Sequence, residues 1–502
     1  MIGVYLDQPG LRGARRLFDL FKIGWEEARP YKQYEALIAD RPSPRSIERR
    51  CEIQVFRSPD RSSARFDDAD GFRRGDVHGV SCAGPAALFS EAVDGWTAEA
   101  GRTAWLGFDL FYAVDGFLGG HVPLDAGKRP VVDEYQDLLR AVFRELEVRH
   151  VEVRATPKGY QYTAALSHDI DHPYWRAHGL DKTSLGLFKR AVHHVLKGRK
   201  EVRRRRSRTA LDVWNSVRFL WAWLRIGNDP WLACFDRHKQ LEESRKSTWF
   251  VIPERGHPGV SAEGDAAPKS RAAKYRLAEV SRELRKLAVR GDEISLHGID
   301  AWAGEESANR ERETVEQAIG VPCDGVRMHW LYWGPQSSRV LNECGFAYDS
   351  TVGFNETFGY RSGTCLPHGL GDERSDTIEV PLLAMDTSAF YPSYEGWTLE
   401  EALEAFDKIR THTRHQSGVL TINWHDRSVG FERHWEEAYQ EIIQRLSEDS
   451  VWWATLSEVA AFSKARRRAR LDVVGDYPRE YEWTVRSSDD VWSERFDLRE
   501  VG

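Results

Sequence analysis

The sequence predicts an α/β protein built on a parallel sheet, open or closed into a barrel. A smaller α/β region precedes that sheet and a short β tail follows it. Two observations carry this expectation. From Tyr160 onward, short strand-like runs alternate with helical ones, the order that packs helices against a parallel sheet. The unusual polar residues of the same region fall at the C-terminal ends of those runs, and in a βα-barrel these ends share the face that carries the chemistry.

In chain order, residues 1–155 form a mixed region with helical patterns at 13–28 and 132–147, expected to be an accessory α/β domain. Residues 156–465 hold the strand candidates: 160–167 (YQYTAALS), 247–252 (STWFVI), 292–297 (DEISLH), 324–330 (DGVRMHW), 377–385 (TIEVPLLAM), 418–425 (GVLTINWH) and 451–456 (VWWATL). Helix ends are readable between them. Thr398 and Glu401 have capping-box spacing ahead of a helix that stops at Gly418, and Gly345 follows SSRVLNEC as a C′ residue. The connection 174–232 is far longer than an ordinary βα loop. It carries a basic run, KGRKEVRRRRSR (197–208), before a Trp-rich segment, LDVWNSVRFLWAWLRI (211–226). These read as a solvated basic face with a packed helix, or as an interfacial helix that meets anionic lipid through 197–226. Residues 466–502 read as a small β appendage of two or three strands.

Composition narrows the function classes. With 502 residues, 41% hydrophobic and 30% charged, the chain is a globular protein of more than one unit. A net charge of −7 gives no global pull toward nucleic acid. Six scattered cysteines without a CxxC pair argue against a thiolate zinc site or a disulfide framework. The first residues lack a basic-then-apolar leader and no apolar run reaches membrane-spanning length, so a cytoplasmic protein is expected, at most peripheral at the inner membrane face.

The densest chemistry is LSHDIDHP, 166–173. Strand alternation puts Asp169 and Asp171 on one side and Ile170 on the other. Ser295 and His297, Arg327 and His329, and Asn423 and His425 share sides in the same way. A carboxylate and an imidazole on a divalent metal with an open position bring bound water toward a pKa of about 7. A second carboxylate can take the proton of that water, and a separate histidine can protonate a leaving group. Those are the parts of a metal-dependent amide or ester hydrolase.

On these residues the stretch from Tyr160 to Phe462 resembles the polysaccharide deacetylases, the NodB-homology group of carbohydrate esterases. SHDID resembles the first motif of that family, STWFVIP its second strand, GDEISLHG its metal-histidine segment, GVRMHW its arginine motif, LTINWH its Leu-x-His motif, and GFAYDST a further stretch that brings Asp349 near the site. The resemblance implies a deformed (β/α) barrel of about seven strands. It implies Asp169 as catalytic base, Asp171 and His297 as metal ligands, Arg327 as the residue that holds the base, His425 as general acid and Asp386 as the acid that orients it. Zinc is the first choice of metal. Trp330 and Trp424, beside the site histidines, are taken as substrate-binding. One departure matters: the second metal histidine of the family falls four residues after the first, and here that position is Ala301. His329 is the preferred replacement, ahead of Asp300 and His172.

The function so implied is removal of an acetyl group from an N- or O-acetylated saccharide, an intracellular glycan precursor that is lipid- or nucleotide-linked. The alternatives are a deformylase or other non-peptide amide hydrolase on the same fold, and a catalytically dead carbohydrate-binding protein.

Overall fold

The computed structural model describes residues 1–55, 102–106, 110–119, 124–177 and 231–501, except 42, 45, 262–263, 372–374, 431–432, 434, 477–479 and 488, together with 221, 224 and 229. The expectation of membrane contact through 197–226 lies outside the described residues, apart from Trp221 and Leu224. Among the described residues, no helix is long and apolar enough to cross a membrane.

The N-terminal region is a five-stranded sheet in which every pairing is parallel: β1 (Ile2–Tyr5), β2 (Trp25–Glu27), β3 (Gln33–Ala39), β4 (Glu48–Val55) and β5 (Arg102–Leu106), in the order β2-β1-β3-β4-β5. The helix expected at 13–28 instead spans Gln8–Phe21 (α1). Pro9 and Gly10 sit in its first turn, where the proline needs no hydrogen bond and Asp7 caps Gly10 N. The helix stops because Lys22 turns left-handed, at φ 43°, and the chain re-enters the sheet at Trp25. Gly13 of α1 lies against the carbonyl of Phe111 in α2 (Leu110–Leu118), where a Cβ would not fit. The second expected helix is α3 (Val131–Glu145).

The site is positioned by a ten-stranded sheet, nearly all parallel. After β6 (His150–Val153) come β7 (Tyr162–Ile170), β8 (Ser247–Val251), β9 (Glu293–Gly298), β10 (Gly325–Met328), β11 (Tyr348–Asp349), β12 (His368–Gly369), β13 (Ile378–Glu379), β14 (Ala384–Met385), β15 (Val419–Asn423) and β16 (Val451–Trp453). Their order is β12-β13-β11-β10-β9-β8-β7-β15-β14, with β16 also on β7. The expected strand 377–385 is therefore two pieces. Ile378–Glu379 pairs with β11 and Ala384–Met385 with β15, with Pro381, which has no N–H to donate, between them. By joining both ends of the sheet, this one segment curls it into a deformed barrel. The strand β11 was not anticipated, because its two residues are too few to show a period.

Helices alternate with these strands on the outside: α4 (Cys234–Glu242), α5 (Leu277–Val289), α6 (Glu305–Ile319), α7 (Ser337–Glu343), α8 (Leu399–Gln416), α9 (Glu436–Ser447) and α10 (Leu456–Arg468). The Thr398/Glu401 capping box forms at the start of α8, and Gly345 takes φ 70° just past α7. In the tail, β17 (Arg470–Asp476) and β18 (Glu480–Arg486) form a hairpin, whereas β19 (Leu498–Val501) pairs antiparallel with β6.

Candidate active site

Strand alternation and parallel register together aim the site residues inward. Asp169 is level with Phe250 on β8, and Arg327 on β10 is level with His297 on β9, so all four enter the barrel side by side. The guanidinium of Arg327 lies 4.3 Å over the Phe250 ring and is fully buried. It donates from Nη1 to Asp169 Oδ1 (3.0 Å) and Ser167 Oγ (2.8 Å), from Nε to Ser350 O (3.0 Å) and from Nη2 to Ser350 Oγ (3.0 Å). Asn423 Nδ2 donates to the second oxygen of Asp169 at 2.7 Å. Asp169 is thus fixed from two strands. Burial opposes its ionisation, but His297, Arg327 and His425 outweigh that and hold its carboxyl below the usual value.

Two residues further along, Asp171 Oδ1 lies 3.4 Å from His297 Nε2 and 3.5 Å from His329 Nε2. These ligand atoms all fall within 4.8 Å of one another, and neither Asp300 nor His172 joins the group. Asp300 is engaged elsewhere, accepting from His257 Nε2 (2.7 Å) and Val260 N (2.9 Å). His172 lines the cavity, with its backbone N–H on Asp426 Oδ2 at 2.8 Å. Ala301, in the position of the missing histidine, is fully buried.

The spacing of the three fits a metal better than a hydrogen-bond network. Tetrahedral bonds of about 2.0–2.1 Å set neighbouring ligand atoms roughly 3.3 Å apart, whereas a good N–H···O contact is nearer 2.9 Å. Asp171 Oδ1 and His329 Nδ1 are also buried without a hydrogen-bond partner, an expensive state for a carboxylate unless a cation arrives. His297 is set by Nδ1 donating to Arg327 O (2.9 Å), which leaves Nε2 free to ligate. Burial lowers the pKa of His329 despite Asp171, so its imidazole tends to the neutral form a ligand needs.

His329 reaches the group through a strained turn. The next two residues, Trp330 (φ 63°) and Leu331 (φ 54°), are both left-handed, costing about 1 kcal/mol or more each. Arg271 holds the turn. Fully buried and 4.1 Å over the Tyr332 ring, it donates from Nη2 to His329 O (3.1 Å) and Ile299 O (2.9 Å) and from Nη1 to Pro258 O (2.7 Å).

Opposite, His425 Nδ1 donates to Asp386 Oδ1 at 2.6 Å, and its backbone N–H donates to Asp386 Oδ2 at 2.8 Å. Its Nε2 points to Asp171 (3.8 Å) and Asp169 (3.9 Å). Burial alone would discharge this imidazole, but Asp386, Asp171 and Asp169 push its pKa to about 10. The imidazole is therefore held in its charged form at neutral pH.

Trp330, 38% exposed, lines the cavity. Trp424, expected to bind substrate, does not line it: fully buried, it stacks on Tyr439 with ring centroids 5.1 Å apart, on the outer side of the sheet. Its register explains this, because it lies between the inward Asn423 and the rim residue His425. His168 also faces outward, bridging Trp424 O (2.8 Å) and Glu242 (2.6 Å). Asp349 is buried among its own neighbours, accepting from Thr351 N (3.0 Å) and Thr351 Oγ1 (2.6 Å). Asn423, Ser167, Ser350 and Arg271 were not assigned from the sequence. Alternation with His425 flagged Asn423, but Arg271 ends a three-residue 3-10 turn (Lys269–Arg271), too short to leave a periodic signal.

No family model and no curated protein matches the chain. Among solved structures, a protein from Mycobacterium smegmatis described as a polysaccharide deacetylase aligns at 19% identity and a TM-score of 0.40, over 65% of this chain and 99% of that one. The Puue allantoinase aligns at 13% and 0.37, over 61% and 91%. A family 4 acetyl xylan esterase from Clostridium thermocellum aligns at 12% and 0.27, over 60% and 90%.

Proposed function

We propose that the chain is a metal-dependent hydrolase that removes an acetyl group from an acetylated saccharide. The observation that carries this reading is the convergence in one cavity of Asp171, His297 and His329 at ligand spacing, with an anchored carboxylate on one side and a charged imidazole on the other. Asp171, His297 and His329 would hold the ion, zinc by first choice for two imidazoles and a carboxylate. When bound, such an ion polarises the acyl oxygen and makes water acidic enough to lose a proton near neutral pH.

The remaining steps belong to the chain. Asp169, ionised and fixed by Arg327 and Asn423, accepts the proton of the attacking water at Oδ2. His425 donates from Nε2 to the departing nitrogen or oxygen, while Asp386 keeps Nδ1 protonated and the ring aimed. Trp330 offers a face for the sugar ring. The products are acetate and the free amino or hydroxyl group.

The test is acetate release from N-acetylglucosamine oligomers and acetylated xylan by zinc-loaded protein, beside formate release from an N-formylated amino sugar. Acetate formation lost in Asp169→Asn supports the reading. Formate alone moves it to a deformylase, and no release with either substrate removes it.

A further inference from the structure

Directly behind the candidate site, on the outer side of the sheet, lies a buried charged network that the proposed chemistry does not use. At its centre Glu242 of α4 is fully buried and accepts four hydrogen bonds. His168 Nε2 (2.6 Å) and Tyr439 Oη (2.7 Å) donate to Oε1, and Ser247 Oγ (2.9 Å) and Lys239 Nζ (3.1 Å) donate to Oε2. Burial opposes ionisation of this carboxyl, but His168 and Lys239 outweigh it and hold the pKa below the usual carboxylate range. Lys239 is answered a second time by Asp292 Oδ1 at 2.8 Å.

His168 joins this network to the site. It lies on β7 between Ser167 and Asp169 and is level with Trp249 on β8, with ring centroids 4.3 Å apart. Its Nδ1 lies 2.8 Å from Trp424 O. A peptide carbonyl can only accept, so Nδ1 carries a proton, and an ionised carboxylate can only accept, so Nε2 carries one too. By this accounting His168 is an imidazolium. The neighbouring ring of His238, 4.1 Å away, goes the other way. Burial and the His168 charge lower its pKa to about 3, so it is neutral, and its Nδ1 donates to Cys234 O at 3.0 Å.

Both backbone groups of Trp424 are thus fastened to β7, the N–H to Ser167 O at 2.9 Å and the C=O to the His168 ring. The next N–H, that of His425, turns away to Asp386 Oδ2. Asp169 follows His168 and His425 follows Trp424, so the two each sit one residue from the same bond. We propose that His168, charged and anchored by Glu242, is a positioning residue that sets the spacing of Asp169 and His425 from the far side of the sheet. This rests on the deacylase reading above for the base and acid roles of those two residues. Stability alone does not call for the pair, because apolar side chains of similar volume often replace a buried ion pair without loss. An apolar side chain at 168 could not hold the Trp424 carbonyl.

The experiment compares His168→Gln, which keeps one donor for Glu242 but loses the second bond to Trp424 O, with His238→Leu in the same buried layer. The first readout is the nitrogen-15 spectrum of the metal-free full chain labelled at histidine. Both ring nitrogens of His168 should carry protons at pH 7. The His425 ring signals should move in His168→Gln and stay in place in His238→Leu. The second readout is acetate release by zinc-loaded protein. Misplacing reacting groups by about 1 Å can cost about 10²-fold, so kcat should fall by that order in His168→Gln, with KM and zinc stoichiometry as in wild type. His238→Leu should lower thermal stability and keep kcat. Should thermal melting show that His168→Gln does not fold, Glu242→Gln repeats the test, with both readouts expected to move in the same direction. An unprotonated ring nitrogen on His168, His425 signals that do not move, or an unchanged kcat in the folded variant overturns the proposal. The two readings fail separately. A wild type that releases no acyl group loses the deacylase reading, and the His425 signals still decide the role of His168. A wild type that deacetylates, with the same kcat in folded His168→Gln, loses only this one.

Discussion

Among the described residues, two groups have the composition of a metal site, and only one has the physics of it. Asp171, His297 and His329 meet at the barrel rim, and Asp133, Cys365 and His412 meet where α3 packs against the barrel. In the second group the carboxylate is already satisfied. Asp133 accepts from Thr364 Oγ1, from Cys365 N (3.1 Å) and from His412 Nε2 (2.8 Å). Burial and Asp133 together push the Cys365 thiol well above its usual pKa, away from the thiolate a metal needs. In the first group the distances are too long for good hydrogen bonds, and two buried polar atoms lack partners. The difference teaches that residue type nominates a metal site and hydrogen-bond saturation decides against it. The Asp133 group is a clasp between the N-terminal region and the barrel, whereas the rim group is an open socket.

The largest effect that would break this comparison is on metal content. Purified protein should carry about one zinc per chain, and Asp171→Asn should carry none and show no turnover, by plasma mass spectrometry and acetate assay. His412→Gln should keep the full complement. Metal lost from His412→Gln but retained in Asp171→Asn would exchange the roles of the two groups.

Next in size is the acid side of the socket. Asp386→Asn removes the strongest carboxylate support of the His425 charge and should cost about 10²–10⁴-fold in rate at pH 8. The sign follows from the raised pKa. In the metal-free protein His425 stays protonated until pH approaches about 10, and Asp386→Asn should draw that limb down toward the ordinary value near 6.5. The same shift is a stability effect. Its contribution is fully present below pH 6.5 and lost as pH rises through about 10. Chemical denaturation of metal-free protein between pH 6 and 10 should therefore show a steeper loss in wild type than in Asp386→Asn. Identical slopes would remove the Asp386–His425 coupling from the mechanism.

How much of this was legible in the sequence depends on period. Strands such as Tyr162–Ile170 and Glu293–Gly298 are long enough for alternation to show, and alternation alone brought Asp169, His297 and Arg327 to one interior. Where the period is short or broken, the reading failed. Pro381 split one expected strand, β11 has two residues, and α1 begins at Gln8, five residues before the expected start. Trp424 was placed in the site for being beside His425, although one step along a strand turns a side chain to the other face. The turn at Trp330 and Leu331 is invisible to pattern because tertiary contacts, chiefly those of Arg271, impose it.

That turn gives the third effect. Arg271→Met keeps much of the volume over Tyr332 but removes the donors to His329 O, Ile299 O and Pro258 O. Supports of this kind typically change metal affinity by about 10–100-fold, so zinc affinity measured against a chromophoric chelator should fall by that order. Trp330→Gly relieves the positive φ and should cost little affinity, which separates strain from support. Wild-type affinity in Arg271→Met would mean that the barrel holds His329 without help.

The smallest effect lies in the clasp. His412→Gln replaces an imidazole contact of 2.8 Å to Asp133 by an amide that reaches less far, leaving a fully buried carboxylate with Thr364 and Cys365 N as its remaining close donors. Weakening one partner of a buried carboxylate costs about 1–3 kcal/mol, so denaturation should show a loss of that size while zinc stoichiometry and kcat stay as in wild type. Asp133→Asn should cost at least as much, because the thiol and the imidazole then face an amide that can no longer accept from every side. If added zinc restored the stability of metal-free wild type but not of His412→Gln, the clasp would be a second metal site after all. The contrast between saturated and unsaturated carboxylates would then need another explanation.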